Sequence, residues 1–240
     1  MALFYKPDIL EQPFLSEEES RHAVKVLRLG VGDTLDIVDG KGGLFRAVIR
    51  VADARRCTIE IRESIPEPDV RRHRIHLAIA PTKDLDRIEW MLEKCVEIGV
   101  DQVTFIRTRR TDERYWKGKS IHPERLEKIS VSAMKQSLKR RLPVVTDLVP
   151  WERFLEEREA GESRFVAHLE EDDRTLLQQK AIPGENYVVL IGPEGDFTPE
   201  EIAEAKENGF APVSLGNSRL RTETAGLVAV HTLELLNQGE

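Results

Sequence analysis

Apolar and polar residues alternate with a period of two in three runs of the N-terminal third, residues 34–38, 44–51 and 57–65. Such alternation predicts half-buried strands, and the glycine-rich stretch Asp39-Gly40-Lys41-Gly42-Gly43 between the first two predicts a hairpin turn. Ahead of them Ser16-Glu17-Glu18-Glu19 reads as a capping box, which predicts a helix from there to about Leu29, stopped by Gly30 and Gly32. The meander is expected to close into a small barrel. Pro66-Glu67-Pro68-Asp69 reads as a linker, because two prolines with acidic neighbours disfavour both a helix and a central strand.

From about residue 71 the pattern changes. Short apolar runs at 75–80, 102–106, 164–168, 187–191 and 213–215 alternate with stretches of helical period. Leu85, Ile88, Leu92, Cys95 and Val96 recur at helical spacing up to Gly99, and His122-Pro123 opens a helix with Leu126, Ile129 and Ala133 on one face. Thr198-Pro199-Glu200-Glu201 is a second capping box, closed by Gly209, and a last helix is expected from about Thr224 to Leu236 with Thr222 and Thr224 as capping residues. Strands alternating with helices predict an α/β layer around a mostly parallel sheet. The expected division is therefore a β-rich domain over 1–70 and an α/β domain over 71–240.

Composition narrows the class. Of 240 residues 33% are charged and 40% hydrophobic, and no apolar run approaches the roughly 18 residues that cross a bilayer. Lys6, Asp8 and Glu11 leave no room for a signal-peptide core, so a cytoplasmic protein with no membrane contact is expected. Cys57 and Cys95 lack metal-ligand spacing; two reduced thiols and no metal are expected. The net charge is −7, yet residues 104–141 hold twelve Lys or Arg against four Asp or Glu. That segment is either a phosphate-gripping face or a solvated helix and loop.

Two segments near the C-terminus carry the candidate chemistry, Leu190-Ile191-Gly192-Pro193-Glu194-Gly195-Asp196-Phe197 and Leu215-Gly216-Asn217-Ser218-Arg219-Leu220-Arg221-Thr222-Glu223-Thr224-Ala225. Each follows a strand-like run and opens a helical stretch, a junction where backbone N–H groups can meet a polar small molecule. Neither is followed by Gly-Lys-Ser/Thr, which excludes a Walker loop, and the turn after residues 75–80 reads Pro81-Thr82-Lys83-Asp84, which excludes a Rossmann fingerprint.

These two segments resemble the SPOUT methyltransferases, and within them the RsmE family of small-subunit ribosomal RNA uridine-N3 methyltransferases. The resemblance extends to Arg21, His22, Val26, Leu27 and Arg28, which match that family's Arg-His-x-x-x-Val-Leu-Arg signature, and to Trp90, Lys94, Glu97, Gly99, Gln136 and Ser137. It departs at Asp196, where the family usually has glycine, and at Lys135 and Lys139, where it has glutamate and arginine. The resemblance implies a SPOUT domain with a deep trefoil knot and a mostly parallel sheet, a small N-terminal PUA-like β-barrel, S-adenosylmethionine as cofactor, ribosomal RNA or the small ribosomal subunit as partner, and a homodimer. For that dimer Leu227, Val230 and Leu233 on the last helix are candidates, with burial inside the monomer as the simpler alternative.

It also implies roles for residues. Leu190, Ile191, Gly192, Pro193, Glu194, Gly195, Leu215, Gly216, Asn217, Leu220, Arg221, Thr222, Thr224 and Ala225 are the expected cofactor-binding set, with Gly192, Gly195 and Gly216 glycine for close approach or positive φ. N3 of uracil attacks a methyl group only as its proton leaves, which makes Glu223 the candidate base and Arg221 the candidate partner of a uracil oxygen or phosphate. Glu223 equally suits a first-turn acid favoured by the helix dipole. Arg21, Lys25 and Arg28, at i, i+4 and i+7 with His22 beside them, form an expected RNA stripe, joined by Arg109, Arg110, Gln136, Lys139 and Arg140 and by a positive zone reaching Arg107 and Arg114. Lys83 and Lys94 read as either structural or RNA-facing. The rivals are a non-catalytic ribosome-assembly factor, and a hydrolase, which lacks a nucleophile elbow.

Overall fold

The alternating runs become strands whose apolar positions meet in one core. β2 (Thr34–Val38), β3 (Leu44–Val51) and β4 (Thr58–Ile65) pair antiparallel, and β1 (Leu3–Tyr5) adds parallel to β2, giving a sheet of order β1-β2-β3-β4. Leu35, Ile37, Phe45, Ala47, Ile49 and Ile59 join Phe4, Ile9, Leu15 and Ala23 in a buried cluster. Asp36, on the opposite face, stands across from Arg46 and accepts from its Nε at 3.0 Å. β1 has only three residues, too few to display a period, and the sequence pattern missed it. The computed structural model describes residues 2–67, 71–111, 122–156, 161–169 and 175–238, so Pro68, Asp69 and Arg114 lie outside the described residues.

The first helix starts where expected, with Ser16 Oγ accepting from the Glu19 N–H at 3.2 Å, but only half of the capping box forms: Glu19 Oε1 accepts from the Tyr5 N–H at 3.2 Å instead of reaching back to Ser16. The helix does not run to Leu29. α1 (Glu17–Arg21) passes into a π-helical turn over His22–Val26, the Leu27 N–H donates to the His22 carbonyl five residues back, and Arg28 takes a φ of 58°. Ser20 and Ala23 anchor the inner side, Ser20 Oγ accepting from the Cys57 N–H at 2.8 Å, while a residue at positive φ closes the helix as a C-terminal glycine usually does. Arg28 thus stands beyond the helix end, and the expected single stripe of Arg21, Lys25 and Arg28 does not form on a regular helix.

The chain forms two compact units, Met1–Val70 with Val131–Leu142, and Arg71–Ser130 with Pro143–Glu240. Residues 131–142 thus cluster with the N-terminal unit, whereas a division at residue 70 puts them in the other domain. Lys135 Nζ bonds Glu19 Oε1, and Arg140 donates to the carbonyls of Ile65 and Pro66 at 2.9 and 3.0 Å. Arg141 pairs with Glu67 at 2.6 Å.

The second unit is a six-stranded, wholly parallel sheet of order β10-β8-β9-β5-β6-β7, built from β5 (Ile75–Ile79), β6 (Gln102–Arg107), β7 (Val144–Pro150), β8 (Glu162–Ala167), β9 (Asn186–Ile191) and β10 (Ala211–Val213). β8 and β10 end earlier than the apolar runs suggested, which leaves His168, Ser214 and Leu215 in the connections. Helices α2 (Leu85–Ile98), α3 (Pro123–Gln136), α6 (Pro199–Glu207) and α7 (Thr222–Leu236) follow the predicted pattern. β7 and the short α4 (Trp151–Glu156) and α5 (Leu177–Lys180) have no periodic signature and were not expected.

On one face of the sheet Ala78, Ala80, Val166, Val188 and Leu190 meet Trp151, Phe154, Phe197, Ile202 and Phe210. On the other, α7 packs on β5, β9 and α2, so closely that a Cβ on Gly226 would stand 3.0 Å from Ile79 Cδ1 and 3.2 Å from Met91 Sδ. Val230 and Leu233 are buried within the monomer, which removes them from the dimer candidates; Leu227 is half-buried. The far end of α7 is held by Glu234, whose Oε2 accepts from Arg71 at 3.0 Å and lies 3.0 Å from His73 Nε2. Burial pushes the Cys95 thiol up to about 12 and raises that of Cys57. Among the described residues no helix is long and apolar enough to cross a membrane.

Burial, with Arg74 and Arg164 nearby, lowers the pKa of His76 to about 4. Its Nε2 lies 2.8 Å from Thr104 Oγ1 on the neighbouring strand β6. A histidine held below its unfolded value of roughly 6.5 contributes stability that is complete above that pH and disappears as pH falls toward 4. Urea midpoints are expected to reveal about 3 kcal/mol lost across that window. A His76→Gln variant is expected to lose less over the same window; an identical pH slope contradicts the assignment.

Candidate functional site

β9 delivers the chain to Ile191, where the turn of residues 192–197 begins. Phe197, buried against Trp151 at 5.4 Å between ring centroids, folds back over Gly192, and a Cβ on Gly192 would stand 3.1 Å from both the Phe197 backbone nitrogen and its ring. Asp196 adopts a φ of 61°, so the position that is usually glycine in the RsmE family needs left-handed backbone, which aspartate tolerates. Its Oδ1 accepts from the Phe197 N–H and its Oδ2 from the Leu169 N–H, each at 2.8 Å. The turn then enters α6 through the Thr198 capping box, with Glu201 fully buried. Gly195 has no positive φ, and an added Cβ would meet only Arg110 Cδ at 3.6 Å, so no packing inside the protein calls for glycine there.

The second turn runs from β10 to α7. Gly216 takes a φ of 123°, which an L-residue rarely adopts, and its N–H donates to Ser214 Oγ at 3.2 Å. Arg221 is the N-cap of α7 and its side chain makes no capping bond. Thr222 is already helical, which corrects the expectation that Thr222 and Thr224 cap this helix. The first-turn N–H groups of α7 are consequently left without a side-chain cap beside the turn.

The two turns meet around a cavity of about 480 Å³. Of the expected cofactor set, Ile191, Gly192, Pro193, Glu194, Leu215, Gly216, Leu220, Arg221, Thr222 and Ala225 line it, as does Glu223. Leu190, Gly195, Asn217 and Thr224 are not in the lining, and Leu190 is fully buried in the sheet core. Sequence reading missed Arg87, His168, Leu169, Ser214 and Arg219 as wall residues. His168 and Leu169 follow β8, which neighbours β9, and the rule that ligands sit beyond the carboxyl ends of parallel strands is the signal that points to them. Arg87 comes from α2 and has no such signal.

Charges of both signs face this space. Glu223, in the first turn of α7, is 6% exposed and pairs with Arg87 at 3.3 Å, while Arg87 also reaches Asp84 at 3.3 Å. Arg219, Arg221 and Glu194 are exposed at the rim. The site can therefore hold a molecule bearing both a carboxylate and a cation next to a buried carboxylate.

Several cations expected on RNA bond to other groups of the chain, Arg109 and Arg110 while exposed at its surface. Arg109 pairs with Glu204, and its N–H donates to Glu201 at 2.7 Å. Arg110 donates to the carbonyls of Gly195 and Phe197 at 2.5 and 3.2 Å. Arg140 holds Ile65 and Pro66, as described, and Lys94 pairs with Glu93 and Glu97 at 2.7 and 2.8 Å. Arg21 meets Glu17 at 3.3 Å on the surface, and His22 lies 4.0 Å from Glu19. Lys25, Arg28 and Gln136 are exposed, and neither Lys25 nor Arg28 forms an ion pair among the described residues. Lys139 is half-buried; Arg107 and Lys83 are exposed.

Known proteins share this architecture. A family described as an RNA methyltransferase domain matches residues 70–234, and one described as an RNA methyltransferase PUA domain matches residues 15–62. The ribosomal RNA small subunit methyltransferase E of Synechocystis sp. is 30% identical over 92% of this chain and 72% of its own length. The crystal structure of a probable rRNA-methyltransferase from Porphyromonas gingivalis is 44% identical, covers 98% of this chain and 99% of its own, and superposes with a TM-score of 0.90. That of a ribosomal RNA small subunit methyltransferase E from Neisseria gonorrhoeae bound to S-adenosyl methionine is 28% identical, with a TM-score of 0.85 and coverage of 99% and 98%. With two glycine-bearing turns closing one cavity at the C-terminal edge of a parallel sheet, and with these matches along nearly its whole length, the chain belongs to the ribosomal RNA small subunit methyltransferase E family of RNA methyltransferases.

Proposed function

We propose that this protein transfers a methyl group from S-adenosylmethionine to N3 of a uridine in small-subunit ribosomal RNA. The observation that carries the reading is the shared cavity of the two C-terminal turns. Its volume of about 480 Å³ lies within the roughly 300–1,000 Å³ usual for small-molecule sites. Apolar Ile191, Val213, Leu215 and Leu220 in its wall suit an adenine ring. Arg219 and Arg221 on one hand, and Glu194 on the other, suit a zwitterion that also carries a sulfonium. The residues present therefore fit the cofactor, which when bound supplies an electrophilic methyl group.

The chain's own residues supply the rest. Glu223 accepts the uracil N3 proton as the nitrogen becomes nucleophilic, and its pairing with Arg87 holds the carboxylate at the cavity wall. Arg221, exposed at the rim, stabilises a uracil oxygen or an adjacent phosphate. Residues 1–70 serve as the RNA-binding domain through Arg21, His22, Lys25 and Arg28, and residues 71–240 as the methyltransferase domain. Lys25 and Arg28 suit phosphate contact best, being exposed and outside any ion pair among the described residues. β10 forms the sheet edge while α7 returns to pack over β5 and β9, a path consistent with the threaded crossing included in this reading. A homodimer acting in the cytoplasm completes it.

Nucleoside mass spectrometry after incubation of the purified protein with S-adenosylmethionine and unmodified small-subunit RNA or particles tests the proposal. One N3-methyluridine per RNA is the expected product. Tight cofactor binding with no methyl transfer to either substrate rejects the substrate assignment, and absent cofactor binding favours an assembly factor.

A further inference from the structure

We propose that Arg110 and Asp196 are positioning residues for cofactor binding, two clamps that hold the 192–197 turn in its cavity-forming shape. The inference rests on the cofactor reading of that cavity. It assigns Arg110 a different task from the phosphate contact that its place in a basic segment suggests.

Arg110 follows β6 in a short turn whose shape is fixed from within. The Thr108 N–H donates to Thr111 Oγ1 at 3.1 Å, the two threonine hydroxyls lie 2.8 Å apart, and both side chains are buried. The Arg109 N–H donates to Glu201, whose other oxygen accepts from the Thr198 N–H at 2.8 Å, so this turn is tied to the start of α6. From this base Arg110 Nη1 bonds two carbonyls of the glycine turn, those of Gly195 and Phe197. Asp196 lies between them in sequence and works on the opposite side. Its carboxylate bonds the Phe197 N–H within the turn and the Leu169 N–H in the connection after β8.

The consequence is directional. Gly192, Pro193, Glu194 and Asp196 line the cavity on the turn, and His168 and Leu169 line it on the neighbouring connection. One clamp anchors the turn to the end of β6, and the other locks it to the connection opposite. A turn held this way meets the cofactor already shaped, which lowers the ordering that binding requires. Arginine suits the first clamp because one planar group reaches two carbonyls, which lysine does not reproduce. Aspartate suits the second because it combines a carboxylate with tolerance of positive φ.

The test compares Arg110→Lys, Arg110→Ala, Asp196→Asn and Asp196→Ala in the full-length protein. Isothermal titration with S-adenosylmethionine is paired with RNA affinity measured across a salt series, and melting temperatures check folding. Both Arg110 variants are expected to weaken cofactor affinity and raise the cofactor KM by about tenfold, with the salt dependence of RNA binding unchanged. Asp196→Asn, which keeps one acceptor oxygen and tolerates the same φ, is expected to bind the cofactor about threefold more weakly, and Asp196→Ala about tenfold more weakly. Unchanged cofactor affinity in Arg110→Lys, with a flattened salt slope in Arg110→Ala, overturns the proposal and returns Arg110 to the RNA. Wild-type protein that fails to bind the cofactor rejects the underlying reading of the cavity, an outcome distinct from wild-type binding that the variants leave untouched.

Discussion

Glu223→Gln is expected to slow methyl transfer by about 100-fold or more while cofactor affinity changes by less than about threefold, measured by single-turnover kinetics beside calorimetric titration. The substitution preserves shape and removes the group that takes the proton. Glu223 is buried at the cavity wall and held by Arg87, so it has the location and the fixed orientation that a base requires. It also stands in the first turn of α7, where any acid interacts favourably with the helix N-terminus. The two roles separate in the data. A helix-stabilising acid changes melting temperature and cofactor affinity together with rate, whereas a base changes rate alone. Equal losses in rate and affinity reject the catalytic assignment.

Gly192→Val is expected to weaken cofactor affinity by roughly 10- to 100-fold, the equivalent of about 1–3 kcal/mol of overpacking. The added Cβ would lie 3.1 Å from the Phe197 backbone nitrogen and ring and 3.2 Å from Asp196 Oδ1. Phe197 cannot yield easily, since it is buried against Trp151, and so the turn itself must move. Gly195→Ala supplies the contrast. Its Cβ would meet only Arg110 Cδ at 3.6 Å at a backbone conformation open to alanine, and affinity within about twofold of wild type is expected. Titrations showing equal losses at both positions would mean that the turn tolerates no side chain for a reason other than this packing.

Much of the fold is legible in the sequence because its elements are periodic. The three alternating runs of the N-terminal sheet, the helical spacing of Leu85 to Val96 and the capping box at Thr198 each emerge where local pattern places them. The elements missed are short or unpatterned: β1 has three residues, α5 has four, and β7 alternates too weakly to announce a strand. The first helix shows a different limit. Its start is encoded by Ser16 and Glu19, but its passage into a π-helical turn depends on how Ser20 and Ala23 are anchored in a core assembled from distant strands.

At the site the division is similar. Local sequence determined the two glycine-bearing turns and the presence of an acid at position 223, because turn propensity and the identity of reactive groups are properties of a few consecutive residues; the burial of Glu223 and the choice of positive φ at Gly216 came from the tertiary structure. Tertiary structure alone decided what the basic residues do. Arg87 on α2 becomes the partner of Glu223 and Arg110 the brace of a turn 85 residues later, while Arg109 pairs with Glu204 at the surface and Arg140 bonds the carbonyls of Ile65 and Pro66. The physical reason is that a guanidinium on a long side chain acts through whichever acceptor lies within reach, and that acceptor belongs to another part of the chain.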